Sequence, residues 1–350
     1  MNSCSQGALS DTVEAALQEY VRSWHDAGSP WDIWVQKYEA VRAQFAEFIG
    51  AQSSEVAVVP SASAGINAVA SAIRFLDRKK VVLGQFEFPT MGHVWLAQQP
   101  RGAEIHFVRA KDEEIPTSGY AAAIDRQTAV VPLTHLCFKN GFRSNVPEVV
   151  RLARANGAYI FLDDYQDCGT RPISVKAMNV DFYVAGTLKY LLAAPGLAFL
   201  YVRKELIPDL DPTISGWFAQ NNPFAFDAEH LDLAPSARKF EAGTPPIPNL
   251  YAASAGMNLL KEIGLENVAA QIKRLAQALI AGAHDLGIHV KTPESSVGPL
   301  VVLQSRDVDA VIAKLAAQNI VVSGRHDGLR ISFHVHNTLD DVQQVLSALK

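Results

Sequence analysis

Residues 158–202 read AYIFLDDYQDCGTRPISVKAMNVDFYVAGTLKYLLAAPGLAFLYV. Three short apolar runs stand out: AYIFLD at 158–163, DFYVAG at 181–186 and LAFLYV at 197–202. Their continuous apolarity predicts strands covered on both faces, as in a mostly parallel sheet with helices on either side. In such sheets ligands bind outside the carboxyl ends of the strands. The first run ends in Asp163, which serves either as a ligand contact or as a cap for the next turn. The second runs on through Gly186 and Thr187 to Lys189, just before the nearly apolar YLLAAPG. A lysine in that setting must find a counterion, reach water or give up its charge. A desolvated amine is a good carbonyl nucleophile. A lysine that snorkels to the surface is the plainer alternative.

Outward from this stretch the alternation continues. Strands are predicted at 55–59, 81–84, 104–108 and 129–136, and helices at 11–24, 35–49 and 146–157. The last of these closes on Asn156-Gly157, a helix-ending pair. After about residue 205 the texture changes to a Pro-, Asn- and Asp-rich loop. Helices near 249–261 and 265–286 follow, then GPLVVLQS, a helix from Val308, NIVVSG, LRISFHV and a final helix. That ending predicts a small second α/β layer. The expected organisation is an N-terminal helical segment at 1–50 packing with the small domain, a large domain at 51–235 and a small C-terminal domain at 236–350.

Composition removes several classes of function. The chain has 350 residues, 49% of them apolar, which is too many for a disordered protein. Lys and Arg total 31 against 36 Asp and Glu, a net charge of −5 with no basic run, so nothing marks a nucleic-acid partner. No apolar stretch approaches the roughly 20 residues that span a bilayer. The N-terminus lacks the basic start and apolar core of a secretory signal, so a cytoplasmic protein is expected. Three cysteines, Cys4, Cys137 and Cys168, without CxxC spacing argue against a disulfide framework and a cysteine zinc site. Buried apolar thiols are the default for Cys137 and Cys168. No strand is followed by GxGxxG, which removes a nicotinamide oxidoreductase.

A carboxylate and an amine at neighbouring strand ends suggest pyridoxal phosphate. That cofactor needs a lysine for its Schiff base and an acid for its pyridinium proton. It also needs a phosphate cradle. Ser61-Ala62-Ser63-Ala64-Gly65, between a strand and a helix, offers hydroxyls and backbone N–H groups. An ordinary serine N-cap would look the same.

Several ordered motifs together resemble the class V aminotransferases of the fold-type-I pyridoxal-phosphate enzymes, a group with cysteine desulfurases, kynureninases and isopenicillin-N epimerase-like proteins. They are SASAGIN at 61–67, FEFPT at 86–90, LDDYQDCG at 162–169, DFYVAGTLKYLLAAPG at 181–196, FEAGTPPIPNL at 240–250 and LRISFHVHNTLDDVQQVL at 329–346. The resemblance implies a large domain with a mostly parallel seven-stranded sheet and a smaller C-terminal α/β domain. It makes Lys189 the Schiff-base lysine and proton shuttle, Asp163 the pyridinium partner and Gln166 a contact to the phenolic oxygen. Phe88 would cover the ring, and Ser63, the Ala64 amide, Thr187 and Thr244 would hold the phosphate. Gly243-Thr244 would act across a homodimer interface. Arg330 would grip a substrate carboxylate with its planar fork, a strand-edge surface charge being the alternative.

The sequence also departs from the family pattern. Gly186-Thr187-Leu188 stands where many members carry Ser-x-His, leaving Thr187 as the substitute contact. NIVVSGRHDGLRIS at 319–332 has no cysteine before the Arg motif, against a desulfurase that uses one there. His135, leaving the strand at 129–136, is either a cofactor contact or a structural histidine. His334 and His336 alternate without a third metal ligand. Arg325 either meets a second acid group or is a solvated loop charge. Trp217 sits in a loop that either closes over substrate or packs, while Trp31 and Trp34 read as anchors. The expected activity is pyridoxal-phosphate-dependent transamination of a small α-amino acid. A β-lyase or epimerase is the alternative within the family, and a non-catalytic binding protein of the same fold is the alternative from another class.

Overall fold

Alternate side chains along the central strands point into two different cores. The computed structural model describes residues Met1–Lys350. Its large sheet contains β1 (Val56–Val59), β2 (Lys80–Gly84), β3 (Glu104–Val108), β4 (Thr128–Thr134), β5 (Tyr159–Asp163), β6 (Phe182–Gly186) and β7 (Ala198–Val202). Val56, Val58, Ile160, Leu162, Tyr183 and Phe199 face one core, while Ala57, Val59, Phe161, Phe182, Val184 and Leu200 face the other. This period-two division is why the runs read as continuously apolar. Each large side chain contributes roughly 1.5–3 kcal/mol by leaving water.

The sheet has the expected seven strands, and they lie in the order β1-β7-β6-β5-β4-β2-β3. All neighbouring pairs are parallel except those of β7, which runs antiparallel to β1 and β6. Edge strand β3 shows polar residues on its outer side, Glu104 among them. Helices α1 (Asp11–Ala27), α2 (Trp31–Phe48), α3 (Ala62–Ala72), α4 (Pro89–Leu96), α5 (Thr117–Ala123), α6 (Val146–Ala155) and α7 (Val175–Met178) accompany the large sheet. Helix α3 starts on Ser61, whose hydroxyl accepts the Ala64 N–H at 3.1 Å.

Two long helices follow the irregular stretch, α8 (Ile247–Ile263) and α9 (Leu265–Asp285). A three-stranded sheet then forms from β8 (Leu300–Gln304), β9 (Ser323–Arg325) and β10 (Gly328–Ser332), in the order β8-β10-β9, with α10 (Val308–Ala316) and α11 (Leu339–Leu349). The packing differs from the expected division at residue 236. Leu250, Tyr251, Met257 and Leu260 of α8, with Val268 and Ile272 of α9, belong to the large-sheet core. Leu275, Leu279 and Ala283 of the same α9 belong to the small-sheet core. So α9 passes from one core to the other. Helices α1 and α2 pack on α8, which lies inside the expected small domain at 236–350, and α2 also meets the large sheet directly, where Phe45 stacks on Phe199 with ring centroids 4.1 Å apart. Only the first residues reach the small sheet: the Ser332 N–H donates to Met1 O at 3.1 Å, and the Cys4 N–H donates to Ser332 Oγ at 2.9 Å. No helix is long and apolar enough to cross a membrane.

Candidate active site

At the carboxyl ends of β4, β5 and β6 lies a cavity of about 380 Å³ that also reaches β9 and β10. β5 delivers Asp163 to it. The carboxylate is buried, and its Oδ1 accepts the Tyr165 N–H at 3.0 Å. Burial pushes its pKa up to about 6, against the pull of the Tyr165 bond and of Lys189.

β6 delivers Lys189 through a short loop that Thr187 clasps. Thr187 Oγ1 lies 2.8 Å from Ala194 O and 3.1 Å from Leu197 O. Three glycines then press on consecutive carbonyls of the lysine segment. A methyl at Gly7 would run into Lys189 O, one at Gly169 into Tyr190 O, and one at Gly256 into Leu191 O. Gly169 also has φ +99°, which L side chains rarely adopt. His334 Nε2 lies 3.0 Å from Tyr190 O, and burial holds the His334 ring down to about 4, so it stays neutral there.

The Lys189 amine sits 4.6 Å from the Tyr165 ring centroid and 5.8 Å from that of Phe88. No carboxylate oxygen lies within 4.0 Å of it. Burial lowers its pKa from 10.5 to about 8. The neutral, nucleophilic fraction of such an amine rises tenfold per pH unit below its pKa. Capture of added pyridoxal phosphate by cofactor-free protein should therefore speed up by roughly tenfold per pH unit and level off above about 8. Stopped-flow absorbance measures this, and a flat profile from pH 6 to 9 would contradict it.

Ser61, Ala62, Ser63 and Thr90 form another wall, with Ser63 Oγ 3.2 Å from Thr90 Oγ1. The Ala64 amide, expected to hold a phosphate, is occupied by Ser61. The free first-turn amides of α3 are those of Ala62 and Ser63, beside three hydroxyls. Thr187, also expected at a phosphate, turns away from the cavity because its hydroxyl closes the lysine loop. Thr244 is exposed and does not line this chain's cavity.

Gln166 reaches the cavity as expected. Its Nε2 donates to Cys4 O at 3.1 Å, leaving one amide hydrogen, and its buried Oε1 has no partner. Phe88 is exposed at the rim, edge-to-face with Phe138 at 5.1 Å. His135 does not line the cavity. Thr134 takes the cavity side of β4, so the next residue points behind it. There His135 Nδ1 lies 2.6 Å from Asp164 Oδ1 and Nε2 lies 2.7 Å from Arg171 Nη2. Since the guanidinium can only donate, Nδ1 carries the ring proton, and the histidine is a structural brace. Asp167, in the same cluster, is held well below the usual carboxylate range by the guanidiniums of Arg143 and Arg171, which outweigh its burial. Trp217 is likewise away from the cavity, in an aromatic cluster with Trp31 at 5.9 Å.

Arg330 is 1% exposed and faces the cavity. Its Nη1 donates to Phe138 O at 2.9 Å, and its Nη2 donates to Ser5 Oγ at 2.8 Å and Ser323 Oγ at 3.0 Å, with Cys4 Sγ at 3.2 Å. None of these acceptors is a carboxylate. A buried cation without an anion is costly unless a ligand supplies one. Cys4 and Ser5 are cavity residues that the sequence reading missed. They sit more than 320 positions from Arg330 in the chain, and no local pattern marks them.

The family model for aminotransferase class-V matches residues 10–345. The chain belongs to the class V aminotransferase family. It is 32% identical to the uncharacterized aminotransferase YcbU of Bacillus subtilis (strain 168), covering 99% of this chain and 92% of that one. It is 26% identical to a probable cysteine desulfurase of Pyrococcus abyssi (strain GE5 / Orsay), covering 90% and 83%. The apo structure of cysteine desulfurase from Thermococcus onnurineus NA1 superposes with a TM-score of 0.90 over 99% of this chain and 92% of that one, at 24% identity, a likeness of fold.

This class V aminotransferase is therefore a pyridoxal-phosphate-dependent transferase or lyase of fold type I. The residues present fit that cofactor. A desolvated amine, a buried acid without a cationic partner within 4.0 Å and an orphaned amide oxygen share one cavity with the amino end of α3. The cofactor supplies an aldehyde for amines and a ring that withdraws electrons from Cα.

Proposed function

We propose that the protein transaminates an α-amino acid. The observation that carries this reading is one cavity holding the desolvated Lys189 amine, the buried Asp163 carboxylate and the anion-free guanidinium of Arg330. In this reading Lys189 would hold the cofactor through its Nζ and would move the α-proton at that same atom. Asp163 holds the proton on the ring nitrogen. Arg330 fixes the α-carboxylate, and Phe88 shields the ring from water. The hydroxyls of Ser61, Ser63 and Thr90, with the Ala62 and Ser63 amides, bind the phosphate. The exposed Gly243-Thr244 reaches the cavity of a second copy, which makes the working unit a homodimer. Three free, buried cysteines suit a reducing compartment, in keeping with the cytoplasm.

The second reading, β-elimination, is favoured by the desulfurase relatives. A thiol does line the cavity, but Cys4 Sγ lies 3.2 Å from Arg330 Nη2, on the carboxylate side, where it is badly placed to take a group from a substrate side chain. The holoenzyme should convert amino acids to keto acids, leave the cofactor in its amine form, and recover when a second keto acid is added. Chromatography of the products with ammonia assay checks this. Ammonia and pyruvate released from cysteine, with no amine-form cofactor, would establish the lyase instead.

A further inference from the structure

The cavity holds more positive charge than the α-carboxylate of a simple amino acid would use. Its lining contains three basic side chains, Lys189, Arg325 and Arg330, and one acidic one, Asp163. In the reading above, Lys189 and Asp163 serve the cofactor and Arg330 serves the α-carboxylate. Arg325 is left over.

Its position is set by strand geometry. In the β9–β10 hairpin Arg330 pairs with Ser323, and Gly328 pairs with Arg325. Side chains two apart on a strand share a face, so Ser323, Arg325 and Arg330 lie on one face of the hairpin, and Arg325 and Arg330 line the cavity. The turn between the strands contains only His326, at φ +53°, and Asp327, which fixes the backbone on which Arg325 stands. Gly328 opposite Arg325 brings no side chain to compete with it.

Arg325 has no acid of its own. Its one hydrogen bond within the chain goes from Nη1 to the adjacent Gly324 O at 2.7 Å. The acid nearest in sequence, Asp327, is committed to Lys291, 2.6 Å away, and to Gln304. Two guanidiniums on one face of a hairpin repel each other. Burial and the charge of Arg330 together lower the Arg325 pKa. An anion between them removes that repulsion.

We propose that the substrate is an acidic α-amino acid, whose side-chain carboxylate is gripped by Arg325 while Arg330 holds the α-carboxylate. This rests on the transaminase reading for the role of Arg330, and it names the substrate class of that site.

Isothermal titration of the holoenzyme with succinate and with butyrate tests it, since the two share a four-carbon skeleton and differ in the second carboxylate. Succinate should bind more tightly by about tenfold or more, the usual scale of a forked charge-assisted contact. Arg325→Gln should bring the ratio of the two affinities close to one, and Arg325→Lys should keep part of it. Arg330→Gln should weaken both ligands. In steady-state assays of the unaltered enzyme, kcat/KM for L-aspartate or L-glutamate should exceed that for L-alanine or L-norvaline. Equal binding of succinate and butyrate, or a preference that survives Arg325→Gln, overturns the proposal. The two readings fail separately. An enzyme that transaminates neutral amino acids and ignores the second carboxylate keeps the proposed function and loses the substrate class. A protein that prefers succinate through Arg325 but forms no keto acid loses transamination and keeps the anion site.

Discussion

Lys189→Ala should give a folded protein with no borohydride-stable attachment to the cofactor and turnover lower by roughly 10³–10⁴-fold, the upper range for losing a proton-transfer group together with its covalent role. The fold should survive because the amine makes no hydrogen bond or ion pair within the chain, and because the loop is held by the Thr187 clasp and the glycine contacts. Removing a desolvated amine also ends the cost of burying its charge below about pH 8, so the cofactor-free variant should melt no lower than the parent. Peptide mapping after hydride trapping gives the decisive measurement. In the parent the added mass belongs on the peptide containing Lys189, and in the variant it should vanish. A label on another lysine in the parent would remove the premise of the mechanism.

Asp163→Asn should move activity and stability in opposite directions. The amide keeps the shape and can still accept the Tyr165 N–H, so local structure is retained. It cannot hold a positive ring nitrogen, and turnover should fall by roughly 10²–10⁴-fold. The stability argument runs the other way. The Asp163 carboxyl rises from 3.8 to about 6 on folding because it is buried. Between those values the folded chain binds more protons than the unfolded one, so stability falls as pH climbs from about 4 to about 6 and stays lower above. For the cofactor-free protein at pH 7 the penalty is on the order of 3 kcal/mol, and Asn removes it. Paired thermal melts of cofactor-free parent and variant at pH 4 and pH 7 measure the difference, which should appear at pH 7 alone. A variant that is both active and less stable would contradict the assignment.

Much of this was readable in the chain because the deciding features are local. Strand-end positions located Asp163 and Lys189, and the motif around Arg330 located the guanidinium. What escaped depended on parity and on distance. His135 and Thr134 both sit at the end of the same apolar run, and which of them meets the cavity depends on register: Thr134 pairs with Asp163, so it shares the open side. Alternation counted from Asp163 could have shown this. Thr187 looked like a phosphate contact because it precedes the lysine, yet its hydroxyl meets a carbonyl ten residues on. Ala64 belongs to the right turn of helix, but Ser61 takes its amide first. Cys4 and Ser5 arrive from the opposite end of the chain, and no window of sequence contains both them and Arg330. The expected small domain at 236–350 took in α8 for a similar reason, since a helix with apolar residues does not declare which sheet it covers.

Gly7, Gly169 and Gly256 come from three remote parts of the chain, yet they hem in three successive peptide groups starting at Lys189. The main chain there is immobilised, and all the travel available to the amine is rotation about its own carbon–carbon bonds. Whatever molecule this enzyme transforms must be carried to within that swing, so errors of placement elsewhere in the cavity cannot be absorbed by the tether.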